Sequence, residues 1–191
     1  MRLLREEHQK KVGQIRAEDL VFIDESGANL ALTRLYARSP EGKRAFGSVP
    51  KNWGENVTII GALSSRGILA SMYLPGSCDQ QVFLKYLEEV LLPQLWKGAV
   101  VVLDNLSVHK SPRVEELLAS RGVRVIYLPP YCPDLNPIEK AWSKLKSFLR
   151  KEGARTYLAL GRAIARGLER ITSSDALAWF RHCGYQAQPV G

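Results

Sequence analysis

At 191 residues the chain has room for one sizeable core and at most a small appendage. Its composition, 46% hydrophobic and 24% charged, is that of an ordinary globular chain; no apolar run is long enough to span a bilayer, and the opening Met1-Arg2-Leu3-Leu4-Arg5 lacks the apolar centre of a secretory signal. The 27 Lys and Arg against 19 Asp and Glu leave a net charge of +8, which favours a polyanionic partner through counterion release without demonstrating one.

Residues 2–16 are polar with sparse apolar points at Leu3, Leu4 and Val12, and predict a mostly exposed helix, so that 1–19 form a helical lead-in. Leu20–Asp24 is a strand of the buried type. Residues 31–38 and 44–49 read as short strands or hairpin arms around the turn Ser39-Pro40-Glu41-Gly42. Two further strands, 56–63 and 68–74, flank Ser64-Ser65-Arg66-Gly67 and complete an antiparallel meander. The period then changes. Val82, Phe83, Tyr86, Leu87, Val90 and Leu91 recur at helical spacing behind Asp79, a cap residue. A strand at 99–103, a helix opened by Ser111-Pro112, a strand at 123–128 and a helix from Asn136 to about Lys151 follow. Residues 156–170 and 174–182 predict two more helices, and the tail after Tyr185 is expected to fray. This order predicts one α/β domain at 20–185, a mixed sheet flanked by helices, with a tail at 186–191. Cys78, Cys132 and Cys183 are odd in number and lack metal-ligand spacing, so reduced thiols are expected.

Three carboxylates stand out. Asp24 ends the apolar run Leu20-Val21-Phe22-Ile23, Asp104 ends Ala99-Val100-Val101-Val102-Leu103, and Glu139 opens a basic helix. Acids at the ends of two buried strands can meet at one sheet edge, and a third from a following helix would complete a hard-oxygen site for a divalent metal. Each also has an ordinary use. Asp24 and Asp104 suit strand-ending turns. Glu139 fits a capping box with Asn136 as cap and Pro137 at the first helical position.

Val21-Phe22-Ile23-Asp24-Glu25-Ser26-Gly27, Val101-Val102-Leu103-Asp104-Asn105-Leu106-Ser107-Val108-His109-Lys110 and Leu128-Pro129-Pro130-Tyr131-Cys132-Pro133-Asp134-Leu135-Asn136-Pro137-Ile138-Glu139 together resemble the DDE catalytic domain of mariner-like insertion-sequence transposases. Between Asp104 and Glu139 lie 34 residues, the D-34-E spacing of that family. The resemblance implies a ribonuclease H-like fold, a triad of Asp24, Asp104 and Glu139, and Mg²⁺ or Mn²⁺ as cofactor, two ions by the usual scheme. It further implies DNA as partner, nicked at transposon ends by hydrolysis and then joined to target through the freed 3′-OH.

Consecutive strand residues face opposite ways, so of Asp24 and Glu25 only one easily faces such a site, and the family match selects Asp24. Asn105 is a candidate for orienting substrate and equally a turn residue. His109 is a candidate for phosphate contact, although a surface histidine near a helix start is the more ordinary reading. Lys140, Lys144 and Lys146 form a cationic face that suits DNA, and Trp53 in Lys51-Asn52-Trp53-Gly54 could stack on it; solvated charges and an exposed or core-tucked indole are the plain alternatives.

Members of that family usually carry a helix-turn-helix region ahead of the catalytic domain, and here about twenty residues precede Asp24. A catalytic half is therefore expected, joined to or partnered by a helix-turn-helix frame, working in the bacterial cytosol on nucleoid DNA, with a homodimer among its assemblies. A ribonuclease H-like nuclease without strand transfer, or a non-catalytic DNA-binding remnant, are the alternatives.

Overall fold

Strands form where apolar residues run without interruption, and the most continuous runs occupy the centre. The computed structural model describes residues 2–186, and in it five strands make one sheet: β1 (Leu20–Ala28), β2 (Val57–Ser64), β3 (Gly67–Pro75), β4 (Val100–Leu103) and β5 (Arg124–Tyr127). The order is β3-β2-β1-β4-β5; β1, β2 and β3 pair antiparallel as a meander, while β4 and β5 join parallel to β1. β1 is the hub between the two halves. β4, covered on both faces, is buried along its whole length, as a parallel strand must be.

Helices cover both faces. Leu20 and Phe22 of β1 belong to a core shared with α4 (Ile138–Glu152), α5 (Tyr157–Glu169) and α6 (Ser173–His182). Val21 and Ile23 point the other way, into a core with Phe83 of α2 (Gln80–Lys85), with Tyr86, Leu87 and Leu91, and with Val114 and Leu118 of α3 (Pro112–Ala119). α1 (Arg2–Val12) lies against the chain's far end, where His8 Nε2 meets the Tyr185 hydroxyl at 3.2 Å.

Local chemistry sets the helix ends. The Asp79 carboxylate accepts from the Val82 N–H at 2.9 Å, as expected. The helix it starts is not uniform: α2 widens into a π-helical turn over Tyr86–Leu91 and then tightens into a 3₁₀ turn, Leu92–Gln94. Thr172 and Asp175 form a full capping box at α6. Gly153, at φ 62°, closes α4 in the left-handed conformation that glycine adopts without strain.

The strands expected at 31–38 and 44–49 do not form. Residues 29–56 carry no helix or strand, and Leu35, Tyr36, Phe46, Val49 and Trp53 stand exposed. β propensity there meets no partner strand, and beyond Leu32, which packs against the core, its apolar residues stand exposed, so a strand would gain little. The feet of this arm are tied down: Leu30 N–H donates to the Trp53 carbonyl at 3.2 Å. Arg155 Nη1 donates to the carbonyls of Leu30 and Leu32 at 3.0 and 3.1 Å, and Glu55 N–H donates to the Tyr157 hydroxyl at 2.5 Å. The tail beyond Gln186 lies outside the described residues.

Candidate active site

β1 and β4 run parallel in a register pairing Leu20 with Val100 and Phe22 with Val102. The same offset of 80 sets Asp24 level with Asp104, one step past the end of β4. Strand alternation turns Asp24, with Leu20 and Phe22, toward α4. There the Trp142 indole N–H donates to Asp24 Oδ2 at 3.2 Å. Trp142 is itself buried and lies over Gly61, the β2 partner of Asp24; a Cβ on Gly61 would stand 2.6 Å from the ring. Glycine is therefore what lets the indole reach the carboxylate.

Asp24, Asp104 and Glu139 line one cleft of about 480 Å³, with Asn105, Leu106, Asn136 and the loop from Leu128 to Pro133. Asp24 is buried, and burial first, then the negative charge of Glu139, push its carboxyl up to about 7. Asp104 behaves oppositely. Burial acts to raise it, but hydrogen bonds from His109 and the Leu106 N–H outweigh that and hold it below the ordinary carboxylate range. Both bonds fall on Oδ1, from His109 Nδ1 at 2.6 Å and Leu106 N–H at 2.9 Å.

His109 is not the surface histidine the sequence suggests. It is fully buried, its ring 4.4 Å from that of Phe83, and its Nε2 lies 3.0 Å from Glu25 Oε1. Burial acts to lower its pKa, but its bonds to Asp104 and Glu25 raise it to about 9. Glu25, on the face of β1 away from the cleft, thus belongs to the site's surroundings; the spacing Asp104-x₄-His109 is the sequence signal that could have shown this. Asn105 donates through Nδ2 to the Leu128 carbonyl, which ties the end of β4 to the end of β5.

The capping box expected at α4 is not made. A 3₁₀ turn, Pro133–Leu135, precedes the helix, Asn136 is extended at φ −105° and ψ 99°, and Pro137 stands in the cap position. Asn136 Oδ1 is buried without a hydrogen-bond partner. Glu139 is left in the first turn of α4, exposed at the cleft rather than folded back on the cap. Lys140 is exposed beside it and Lys146 half-buried, whereas Lys144 is bound to Asp175 Oδ2 at 2.5 Å. Trp53 stands on the arm rather than among the cleft's lining residues, and is exposed.

The donors suit a hard divalent cation: three carboxylates around one cleft, with an orphaned amide oxygen at its wall. They are not closed into a cage, since among the described residues no three His, Cys, Asp or Glu side chains converge that tightly. Such an open arrangement fits Mg²⁺, which keeps several waters and takes few protein ligands.

The sheet order β3-β2-β1-β4-β5, with helices on both faces, is that of a ribonuclease H-like fold, and three carboxylates, from the middle of β1, from just past β4 and from the first turn of α4, line one cleft of it. A family model described as DDE superfamily endonuclease matches residues 19–160, spanning all three acids, and the chain belongs to that family. Its relatives include transposases of transposable elements. The Tcb1 transposable-element transposase of Caenorhabditis briggsae is 30% identical over 104 residues, 52% of this chain and 38% of that protein. The Tcb2 transposase of the same organism is 29% identical over 140 residues, 68% of this chain and 51% of that protein. The fold is similar to that in a pre-cleavage Mos1 transpososome, with TM-score 0.72 at 14% identity over 99% of this chain and 60% of the other. It is also similar to a Mos1 mariner paired-end complex with Mn, with TM-score 0.69 at 13% identity over 94% and 56%. The chain spans about half the length of these two transposases, or less. Among the described residues no helix is long and apolar enough to cross a membrane.

Proposed function

We propose that Asp24, Asp104 and Glu139 are the catalytic carboxylates of a DNA transposase, and that they hold two divalent ions, Mg²⁺ or Mn²⁺. The domain nicks transposon ends by hydrolysis and joins the freed 3′-OH to target DNA. The observation that carries this reading is that Asp24 on β1, Asp104 just past the neighbouring parallel strand β4, and Glu139 line the same cleft. When bound, such ions neutralise charge on the scissile phosphate and make a bound water more acidic.

The chain's own residues do the positioning. Trp142 holds Oδ2 of Asp24, and His109 with the Leu106 N–H holds Oδ1 of Asp104. Glu139 approaches from α4, whose Lys140 and Lys146 offer cationic contacts to the phosphate backbone. Residues 20–185 form the catalytic unit and 1–19 its lead-in. End recognition falls to a helix-turn-helix frame or fusion, and pairing of two ends to a homodimer.

The test supplies the DNA-binding half and measures Mg²⁺- or Mn²⁺-dependent nicking and joining on DNA carrying the element's ends. Asp104→Asn should abolish both steps. Undiminished activity in that variant would sink the assignment, and products that are cut but never joined would favour a nuclease without strand transfer.

A further inference from the structure

We propose that His109 and Glu25 are a positioning pair for Asp104, fixing the carboxylate so that it offers only Oδ2 to a metal ion. The proposal rests on the assignment of Asp104 to the metal-binding triad and adds to it two residues that never touch substrate.

The geometry is specific. His109 has no solvent exposure and is absent from the cleft's lining, so its ring cannot reach a DNA phosphate from where it sits. Both ring nitrogens are engaged with carboxylate oxygens, Nδ1 with Asp104 Oδ1 at 2.6 Å and Nε2 with Glu25 Oε1 at 3.0 Å. An ionised carboxylate only accepts, so each nitrogen is committed as a donor. The main chain holds the ring as well: His109 N–H donates to the Leu106 carbonyl at 3.1 Å, and its own carbonyl accepts from the Tyr127 hydroxyl at 3.1 Å. Phe83 closes the remaining side.

Asp104 Oδ1 therefore takes two hydrogen bonds, from His109 and from the Leu106 N–H, which fix the carboxylate plane. Strand alternation sends Glu25 to the face of β1 opposite Asp24. Through His109 it returns to the same site. The adjacent pair Asp24-Glu25 thus serves one centre from two faces of the sheet, Asp24 directly and Glu25 through the ring. Residues that orient metal ligands in this way typically cost about 10–100-fold in metal affinity when changed.

Asparagine and glutamine separate the two ends of the ring. The amide of His109→Asn falls near the position of Nδ1 and keeps the bond to Asp104; that of His109→Gln falls near Nε2 and keeps only the bond to Glu25. Mn²⁺ binding to the full chain, followed by electron paramagnetic resonance of the free ion, reads the difference without any turnover, with urea unfolding alongside. H109Q should bind Mn²⁺ about 10–100-fold more weakly than wild type, with H109N close to wild type. A downfield imidazole N–H proton resonance, lost in D104N, should mark the Nδ1 bond.

Equal Mn²⁺ affinity in H109Q and wild type, or losses in both variants that merely track lost stability, overturn the pairing. If H109Q fails to fold, Glu25→Ala serves from the other end: weakened Mn²⁺ binding supports the pair and unchanged binding overturns it. Asp104→Ala separates the two levels. If it binds Mn²⁺ as wild type does, the triad assignment fails and the pairing with it. If it loses Mn²⁺ while H109Q keeps it, only the pairing fails.

Discussion

Gly61→Ala adds one methyl beneath the cleft and tests how the sheet and α4 are held at their spacing. In the parent, the Trp142 ring lies where that methyl would go, with 2.6 Å from the new Cβ to the ring edge and 3.3 Å to the next carbon. Neither Gly61 nor its neighbours have positive φ, so the backbone accepts alanine, and the loss of chain freedom in the unfolded state would favour the variant by about 0.4–1 kcal/mol. Overpacking acts the other way and costs about 1–3 kcal/mol, because the ring is buried and has no room to retreat. Displacing it also weakens the indole bond to Asp24, worth about 1 kcal/mol. The net expectation is a loss of about 2 kcal/mol, which at an m-value of about 2 kcal/mol/M lowers the urea midpoint by about 1 M. Trp142→Phe removes the outer ring and the N–H. In the double variant the alanine should cost less than in the parent, with a coupling of about 0.5–3 kcal/mol. A G61A midpoint equal to wild type, or strictly additive losses, would refute the idea that this glycine seats the indole.

Asp24 carries a pH prediction. Its carboxyl titrates near 3.8 in the unfolded chain and about 7 when folded, so the folded state holds more protons between those values and metal-free stability falls as pH rises across that window. His109, raised from 6.5 to about 9, extends the decline, since its contribution is full below 6.5 and gone above 9. Asp24→Asn should therefore raise metal-free stability at pH 8, by at most about 4 kcal/mol, and flatten the unfolding midpoint between pH 5 and pH 8; an unchanged pH profile would count against the raised carboxyl. For DNA, Lys140→Ala and Lys146→Ala should each reduce the slope of log affinity against log salt by about 0.9, measured by fluorescence anisotropy on duplex DNA. A slope that stays put in both would remove this face of α4 from the interface.

The acids that line the cleft stood out in the sequence because they break strong local patterns. A carboxylate directly after four or five apolar residues predicts the end of a buried strand: Asp104 does lie one step past β4, whereas Asp24 sits buried inside β1, which runs on to Ala28 because its pairing with β2 continues there. The helices were legible from their periodicity, and one of them from its cap, Asp79. What stayed hidden depends on distant partners. The burial of His109 follows from Phe83 and Glu25, 26 and 84 positions away, and no local window contains them. Asn136 has the residue type and spacing of a cap, yet the 3₁₀ turn before it turns the side chain away and leaves Oδ1 alone. The arm at 29–56 has strand-forming residues but pairs with neither edge of the sheet, β3 or β5, a property of the assembled sheet rather than of the segment.

The arm also explains why the two intervals between the acids differ in kind. The stretch from Asp24 to Asp104 contains residues 29–56, whose feet are stitched together and whose length is set by nothing inside the domain. Loop closure penalises extra length only weakly, so residues can be gained or lost there while both aspartates stay level. The stretch from Asp104 to Glu139 has no such slack. It holds α3, β5 in fixed register with β4, and a 3₁₀ turn leading directly into α4. One residue added within β5 would shift its side chains to the other face, and one added before Ile138 would swing Glu139 by about 100° around the helix axis. One interval behaves as a slack tether and the other, 34 residues long, as a ruler.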